Sequence, residues 1–151
     1  MSFLLDTNVV SEIRKKAPDR GVAEWFAAVP ADRVFLSVLV AGEIRQGIER
    51  LARRDPAQAE IFDRWLSQLI GGYGDRLMPI TERIAQVWGR LNVPDPLPVV
   101  DGLMAATALV HDWTLVTRNV DDVMSTGVRL LNPFSEGTEP GEGNTASHDP
   151  G

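Results

Sequence analysis

Short apolar runs alternate along this chain with stretches whose apolar residues recur every three or four positions. Residues 2–5, 34–36, 77–80, 115–117 and 128–131 are brief and lack polar alternation, as strands buried on both faces of a parallel sheet should be. After Ser37, which is placed to cap a helix, Val40, Ile44, Ile48 and Leu51 form a stripe at helical spacing. A second helix is predicted from 57 to about 69, with Ile61, Trp65 and Leu69 on its apolar face. A third follows Thr81 (Ile84, Val87, Trp88, Leu91), and a fourth follows Pro98, a residue suited to a first helical turn. Strands alternating with helices predict an α/β fold with helices covering both faces of a parallel sheet. Residues 135–151 hold no aliphatic side chain larger than Ala146 and are rich in Gly, Glu and Pro. They cannot bury enough apolar surface to offset ordering, so one domain over 1–134 and a disordered tail over 135–151 are expected.

Composition narrows the compartment more than the chemistry. A chain of 151 residues suffices for one well-buried domain. The absence of cysteine excludes disulfides and thiolate metal sites and fits a reducing compartment. Phe3-Leu4-Leu5 is cut short by Asp6, unlike a signal peptide. The apolar stretch 98–110 contains Asp101 and falls short of the ~20 residues that span a bilayer. A soluble, cytoplasmic protein is expected. The formal net charge is -6, but Glu136, Glu139, Glu142 and Asp149 of the tail account for four of the 21 acids, leaving 17 against 15 bases. That balance disfavours tight, salt-driven binding to duplex DNA without excluding action on a short exposed segment.

Three acids stand at positions where a parallel sheet exposes chemistry. Asp6 follows the first strand directly, at the carboxyl edge where such sheets bind ligands. Glu43 lies six residues beyond the Ser37 cap, beside the apolar stripe, with Gly47 one turn on leaving room for another group. Asp101 opens the helix after Pro98, with Ala105 and Ala108 behind it. Each also has a plain structural role open to it: Asp6 as a helix cap, Glu43 as a solvated helical acid, Asp101 as a complement to the helix dipole. His111, at a helix end, is assigned to structure, and the only other histidine, His148, falls in the tail, so no histidine metal site is expected. Trp25, Trp65, Trp88 and Trp113 sit at helical or helix-end positions and are read as packing rather than base stacking.

Taken in order, four segments resemble the motifs of PIN-domain nucleases. They are Leu4-Leu5-Asp6-Thr7-Asn8-Val9-Val10; Ser37-Val38 with Ala41-Gly42-Glu43-Ile44-Arg45-Gln46-Gly47; Pro98-Val99-Val100-Asp101-Gly102-Leu103-Met104-Ala105-Ala106-Thr107-Ala108; and Leu115-Val116-Thr117-Arg118-Asn119-Val120-Asp121-Asp122. The likeness runs from residue 2 to about 134 and is greatest to the VapC-type toxins of bacterial toxin–antitoxin pairs, including their FitB-like branch. It implies a three-layer α/β/α sandwich with a five-stranded parallel sheet and Mg²⁺- or Mn²⁺-dependent cleavage of RNA. Asp6, Glu43 and Asp101 would be the metal-binding, catalytic acids. The family's fourth motif often carries an acid where this chain has Asn119, and Asp122 is the candidate to take over that duty, while Thr117 would orient a water through its hydroxyl. The resemblance further implies a homodimer and a cognate antitoxin whose C-terminal segment covers the acidic pocket.

Carboxylates around an open site suit this chemistry, because hard Mg²⁺ prefers oxygen ligands and phosphodiester hydrolysis needs charge neutralisation and an activated water. Arg14, Lys15 and Lys16 behind the first motif, with Arg45 and Arg118 beside the acids, are candidates to grip substrate phosphates, Arg14 and Arg118 foremost. Three other readings compete. A PIN-like nuclease acting on DNA or structured nucleic acid would use the same acids. A phosphatase resembling the haloacid dehalogenases would use Asp6 as nucleophile, but Asn8 stands where a second Asp is wanted, and the only lysines, Lys15 and Lys16, come early. A degenerate binding module would explain Asn119, whereas the retained acids argue against it.

Overall fold

The computed structural model describes residues 1–135. Five strands form one parallel sheet in the order β3-β2-β1-β4-β5: β1 (Phe3–Leu5), β2 (Val34–Ser37), β3 (Leu77–Met78), β4 (Thr114–Val116) and β5 (Leu130–Leu131). Seven α-helices flank it: α1 (Thr7–Ile13), α2 (Arg20–Ala28), α3 (Val38–Ala52), α4 (Pro56–Tyr73), α5 (Glu82–Leu91), α6 (Val99–His111) and α7 (Val120–Val123). The three-layer α/β/α architecture is the one the alternating pattern predicts. The tail expected over 135–151 lies, apart from Ser135, outside the described residues.

The order of the strands decides where a site can form. The chain builds outward from β1 through β2 to β3, then returns to lay β4 on the other side of β1. The connections therefore leave β1 and β4 in opposite directions, and a crevice opens at their carboxyl ends. Leu5 is paired with Val116, so Asp6 and Thr117 emerge side by side there. Beneath them the strands supply the core: Leu4, Leu5, Leu36, Leu115 and Val116 are almost wholly excluded from solvent.

The helices begin where side chains can satisfy their first amides. Ser37 accepts from the Leu39 amide at 3.0 Å and Thr81 from the Ile84 amide at 3.2 Å. The stripe of α3 is as expected, with Val40, Ile44 and Ile48 buried. On α4 the predicted face holds at Trp65 and Leu69, which pack against the core with Phe62 around buried Ala59 and Leu66, but not at Ile61, which is 48% exposed. The helices α1 and α2 are not among the predicted elements, although Val22, Trp25 and Phe26 of α2 and Val29 at its end recur at helical spacing and pack on the core. They start at Asp6 and Asp19, whose carboxylates accept from the Thr7 amide at 2.7 Å and the Val22 amide at 3.1 Å.

Asp19 also ties down the end of the described chain. Its two oxygens accept from the Ser135 amide (2.9 Å) and the Ser135 hydroxyl (2.7 Å), which seats Phe134 in the core at 1% exposure. Gly21 makes this possible, since a Cβ there would stand 2.3 Å from the carbonyl oxygen of Pro133. Among the described residues no helix is long and apolar enough to cross a membrane.

Candidate active site

The crevice between β1 and β4 is walled by acids from four elements. Asp6 ends β1 and caps α1, Glu43 projects from the second turn of α3, Asp101 from the first turn of α6, and Asp122 from α7. Their proximity is felt as mutual charge: Asp6, Asp122 and Glu43 all act on the Asp101 carboxyl. The structure thus brings together the four acids singled out in the sequence.

Asp6 is only 6% exposed, and each of its oxygens accepts a hydrogen bond. Oδ1 accepts from the Thr7 amide, and Oδ2 accepts from the Thr117 hydroxyl at 2.7 Å and, more distantly, from the Asn8 side chain at 3.5 Å. Burial pushes its pKa upward, the hydrogen bonds from Thr117 and Thr7 pull it back, and the charges of Glu43 and Asp122 raise it again, with a net rise. Asp101 is half-buried and its pKa is pushed up to about 6, first by burial, then by the charges of Asp6, Asp122 and Glu43, and last by a hydrogen bond shared with Asp122. Near neutral pH these groups hold charge against mutual repulsion, which a bound cation would relieve.

Two threonine hydroxyls organise the carboxylates. Thr117 is buried at 1% exposure; its hydroxyl donates to Asp6 and accepts from the Asn119 amide at 2.9 Å. Its proton is therefore directed at Asp6. Thr7, at the start of α1, donates its hydroxyl to Oε1 of Glu43. Neither Thr7 nor Asn8 was assigned a role from sequence, although both stand in the Asp-Thr-Asn run after β1. A hydroxyl and an amide directly after a strand-end acid were the available signal. Asn8 also accepts from the Arg118 amide at 3.3 Å, linking the turns after β1 and β4.

The candidate phosphate-binding cations separate into two groups. The Arg14 guanidinium lies 4.2 Å over the Phe62 ring and 5.4 Å from that of Trp65, lining a pocket that also includes Thr7 and Glu43. Arg118 follows Thr117 at the crevice, its guanidinium 4.2 Å over Phe134. By contrast, Arg45 is held by Asp63 (2.7 Å) and Glu49 (3.4 Å), and Lys15 by Glu12 (2.9 Å). His111 stacks on Trp113, itself stacked on Phe35, and Trp25 meets Phe3 edge-on. These rings are packing.

The matching family model is the PIN domain, over residues 3–123. The chain belongs to the PIN-domain family. Among its PIN relatives, toxin FitB of Neisseria gonorrhoeae (strain ATCC 700825 / FA 1090) is 26% identical over 139 residues, covering 89% of this chain and 99% of the relative. VapC ribonuclease Y4jK of Sinorhizobium fredii (strain NBRC 101917 / NGR234) is 29% identical, covering 87% and 97%. Among solved structures, FitAcB from Neisseria gonorrhoeae superposes with a TM-score of 0.80 at 27% identity, covering 87% of this chain and 97% of that one.

The donor set of this PIN domain fits a hard divalent cation. It consists of carboxylates and hydroxyls, with neither imidazole nor thiolate among the groups described above. Among the described residues, however, no three acidic side chains are already drawn together as a chelating cluster. The Thr7 and Thr117 hydroxyls occupy oxygens of Glu43 and Asp6. Loading the site would require those oxygens to exchange a hydroxyl for a cation, or to share them.

Proposed function

We propose that this PIN domain is a metal-dependent endoribonuclease of the toxin type, kept silent by a cognate antitoxin. The observation that carries the reading is the convergence of Asp6, Glu43, Asp101 and Asp122 on one crevice, where burial and then the neighbouring charges lift Asp101 to about 6. The relatives named as a toxin and as a ribonuclease support it. Asp6 and Asp101 would hold the principal Mg²⁺ or Mn²⁺, with Glu43 and Asp122 completing the set and Asn119 a further neutral oxygen donor. A divalent ion there would neutralise charge on the phosphoryl oxygens and lower the pKa of water.

The chain's own residues do the rest. Thr117 fixes the orientation of Asp6 from below, and Thr7 fixes Glu43 from α1. Arg14, whose pocket shares Thr7 and Glu43 with the crevice, and Arg118, next to Thr117 in the chain, would place phosphates next to the cut.

The same acidity suits a basic antitoxin segment, above all an arginine, which would block the crevice and neutralise it. A cleft of about 340 Å³ between α2 and α4, walled by Phe26, Leu69 and Tyr73, would take apolar residues of that partner. The reading also includes a homodimer, which light scattering at working concentration would test, and a cytoplasmic location.

The deciding experiment is incubation of the purified protein with a mixed RNA pool in Mg²⁺ or Mn²⁺, in EDTA, and with Asp6→Asn alongside. Cleavage that needs the cation and falls at least a hundredfold in the variant supports the reading. Cleavage untouched by Asp6→Asn would refute the assignment of the acids.

A further inference from the structure

Next to the acids lies a pocket of about 350 Å³ whose aromatic wall the catalytic reading leaves unused. It sits where α1, α3 and α4 meet, and Thr7 and Glu43 are common to its wall and to the acidic crevice. Whatever fills it therefore lies against the reacting centre. Phe62 and Trp65 of α4 supply aromatic surface, and Arg14 lies across both rings. Arg14 and Arg54 bring positive charge to the wall, against the single acid Glu43. Gly47, one turn after Glu43, leaves its side open: a Cβ built there meets nothing within 4 Å.

We propose that this pocket receives one unpaired nucleobase of the RNA adjacent to the scissile phosphate, stacked on the Arg14–Phe62–Trp65 surface, with Arg14 and Arg54 attracting the flanking phosphates. The inference rests on the ribonuclease reading and deepens it, making these residues determinants of where the chain cuts. Single-stranded RNA is recognised by splaying bases onto aromatic rings and arginine planes, and that combination is present here beside an acid site. Charge decides between nucleic acid and peptide. A basic segment drawn to the acids would be repelled by Arg14 and Arg54, whereas a phosphate backbone is attracted to both and bridges to the acids through a cation. Trp65, expected from sequence to serve packing alone, gains a second role, because one part of it supports α4 while another faces the pocket.

The test fills the pocket without touching the acids. Gly47→Leu places a side chain into open space on an exposed helical position, and an unchanged urea midpoint verifies that it folds. Wild type and variant are compared on a short single-stranded RNA containing a mapped cut site, and on the same RNA with the flanking nucleotide made abasic. Base stacking of the usual strength corresponds to a loss of about five- to a hundredfold in kcat/KM when the base is removed. Gly47→Leu should lose a similar factor on intact RNA, mainly in KM, become indifferent to the abasic change, and spread its cut sites. Unchanged KM and unchanged cut sites in Gly47→Leu would overturn the proposal while leaving the nuclease reading intact. Normal cleavage coupled to lost antitoxin binding would overturn it too, assigning the pocket to a peptide. Absence of any RNA cleavage by wild type would remove the ribonuclease reading and this inference with it.

Discussion

Replacing Asp101 with Asn should make the cation-free protein more stable, although it removes a proposed metal ligand. An unfolded aspartate ionises near 3.8, whereas Asp101 in the folded protein ionises at about 6, raised by burial and then by Asp6, Asp122 and Glu43. Between those values the folded state binds more protons than the unfolded one. Stability therefore falls as pH rises from 3.8 through 6, and the full penalty is present above. A shift of this size corresponds to ~3 kcal/mol, and solvent screening at a half-buried site reduces it to about 1 to 2 kcal/mol. Asn has no charge to lose, so Asp101→Asn should gain that amount at pH 8 and about half of it at pH 5. For a domain of this length the gain at pH 8 corresponds to roughly 3 to 6 °C in Tm. Urea unfolding of both proteins in EDTA at the two pH values measures it. Adding Mn²⁺ at pH 8 should narrow the gap, because a ligand that binds the folded wild type stabilises it by mass action. A variant less stable than wild type at pH 8, or one whose advantage does not change with pH, would refute the account of the crevice as a set of mutually repelling carboxylates.

Two further substitutions probe what holds the site and the fold in place. Thr117→Val keeps the shape of a side chain that is 1% exposed but removes the hydroxyl between Asp6 and the Asn119 amide. A hydrogen bond to a charged group is worth about 1.5 to 3 kcal/mol. That much stability should be lost at pH 8 and less at low pH, where a protonated Asp6 needs no donor, whereas Thr117→Ser should retain most of it; equal losses for both variants in urea unfolding would contradict the role given to the hydroxyl. Gly21→Ala drives a methyl to 2.3 Å from the Pro133 carbonyl and should lift residues 133–135 off α2, exposing Phe134. Unseating a buried Phe costs about 2 to 3 kcal/mol, and limited proteolysis should then trim the chain near Phe134 faster than in wild type; unchanged stability and digestion would show that the contact is not tight.

The sheet was legible because its strands are short, apolar and unalternating, a pattern produced by burial on both faces. The cores of α3, α5 and α6 were legible because each carries a stripe next to a recognisable first residue: Ser37, Thr81 and Pro98. What failed to show is instructive in physical terms. The helix α1 is seven residues long, too short for a repeating stripe, and its start is marked by Asp6, a residue that also belongs to the site. The predicted face of α4 holds at Trp65 and Leu69, which pack against the core, but not at exposed Ile61, because the most buried positions, Ala59 and Leu66, lie to one side of it and small Ala59 gives no apolar signal.

The candidate acids could be picked out singly from their positions after strands and caps, but their interaction could not. Asp6 and Asp122 are separated by more than a hundred residues, and only the return of β4 to the side of β1 makes Thr117 a donor to Asp6 and brings α7 over the same crevice. The strand order is therefore the physical cause of the site's electrostatics. With β4 placed at an outer edge of the sheet, Asp101 and Asp122 would lie away from Asp6 and Glu43, whose charges would then no longer raise the pKa of Asp101. The departure at Asn119 also gains a meaning from this geometry. Its backbone amide, rather than its side chain, is what the observed contacts use, bonded to the Thr117 hydroxyl that holds Asp6. A residue of any type supplies that amide, so an acid is free to move from 119 to 122, one turn of α7 later, and still face Asp101.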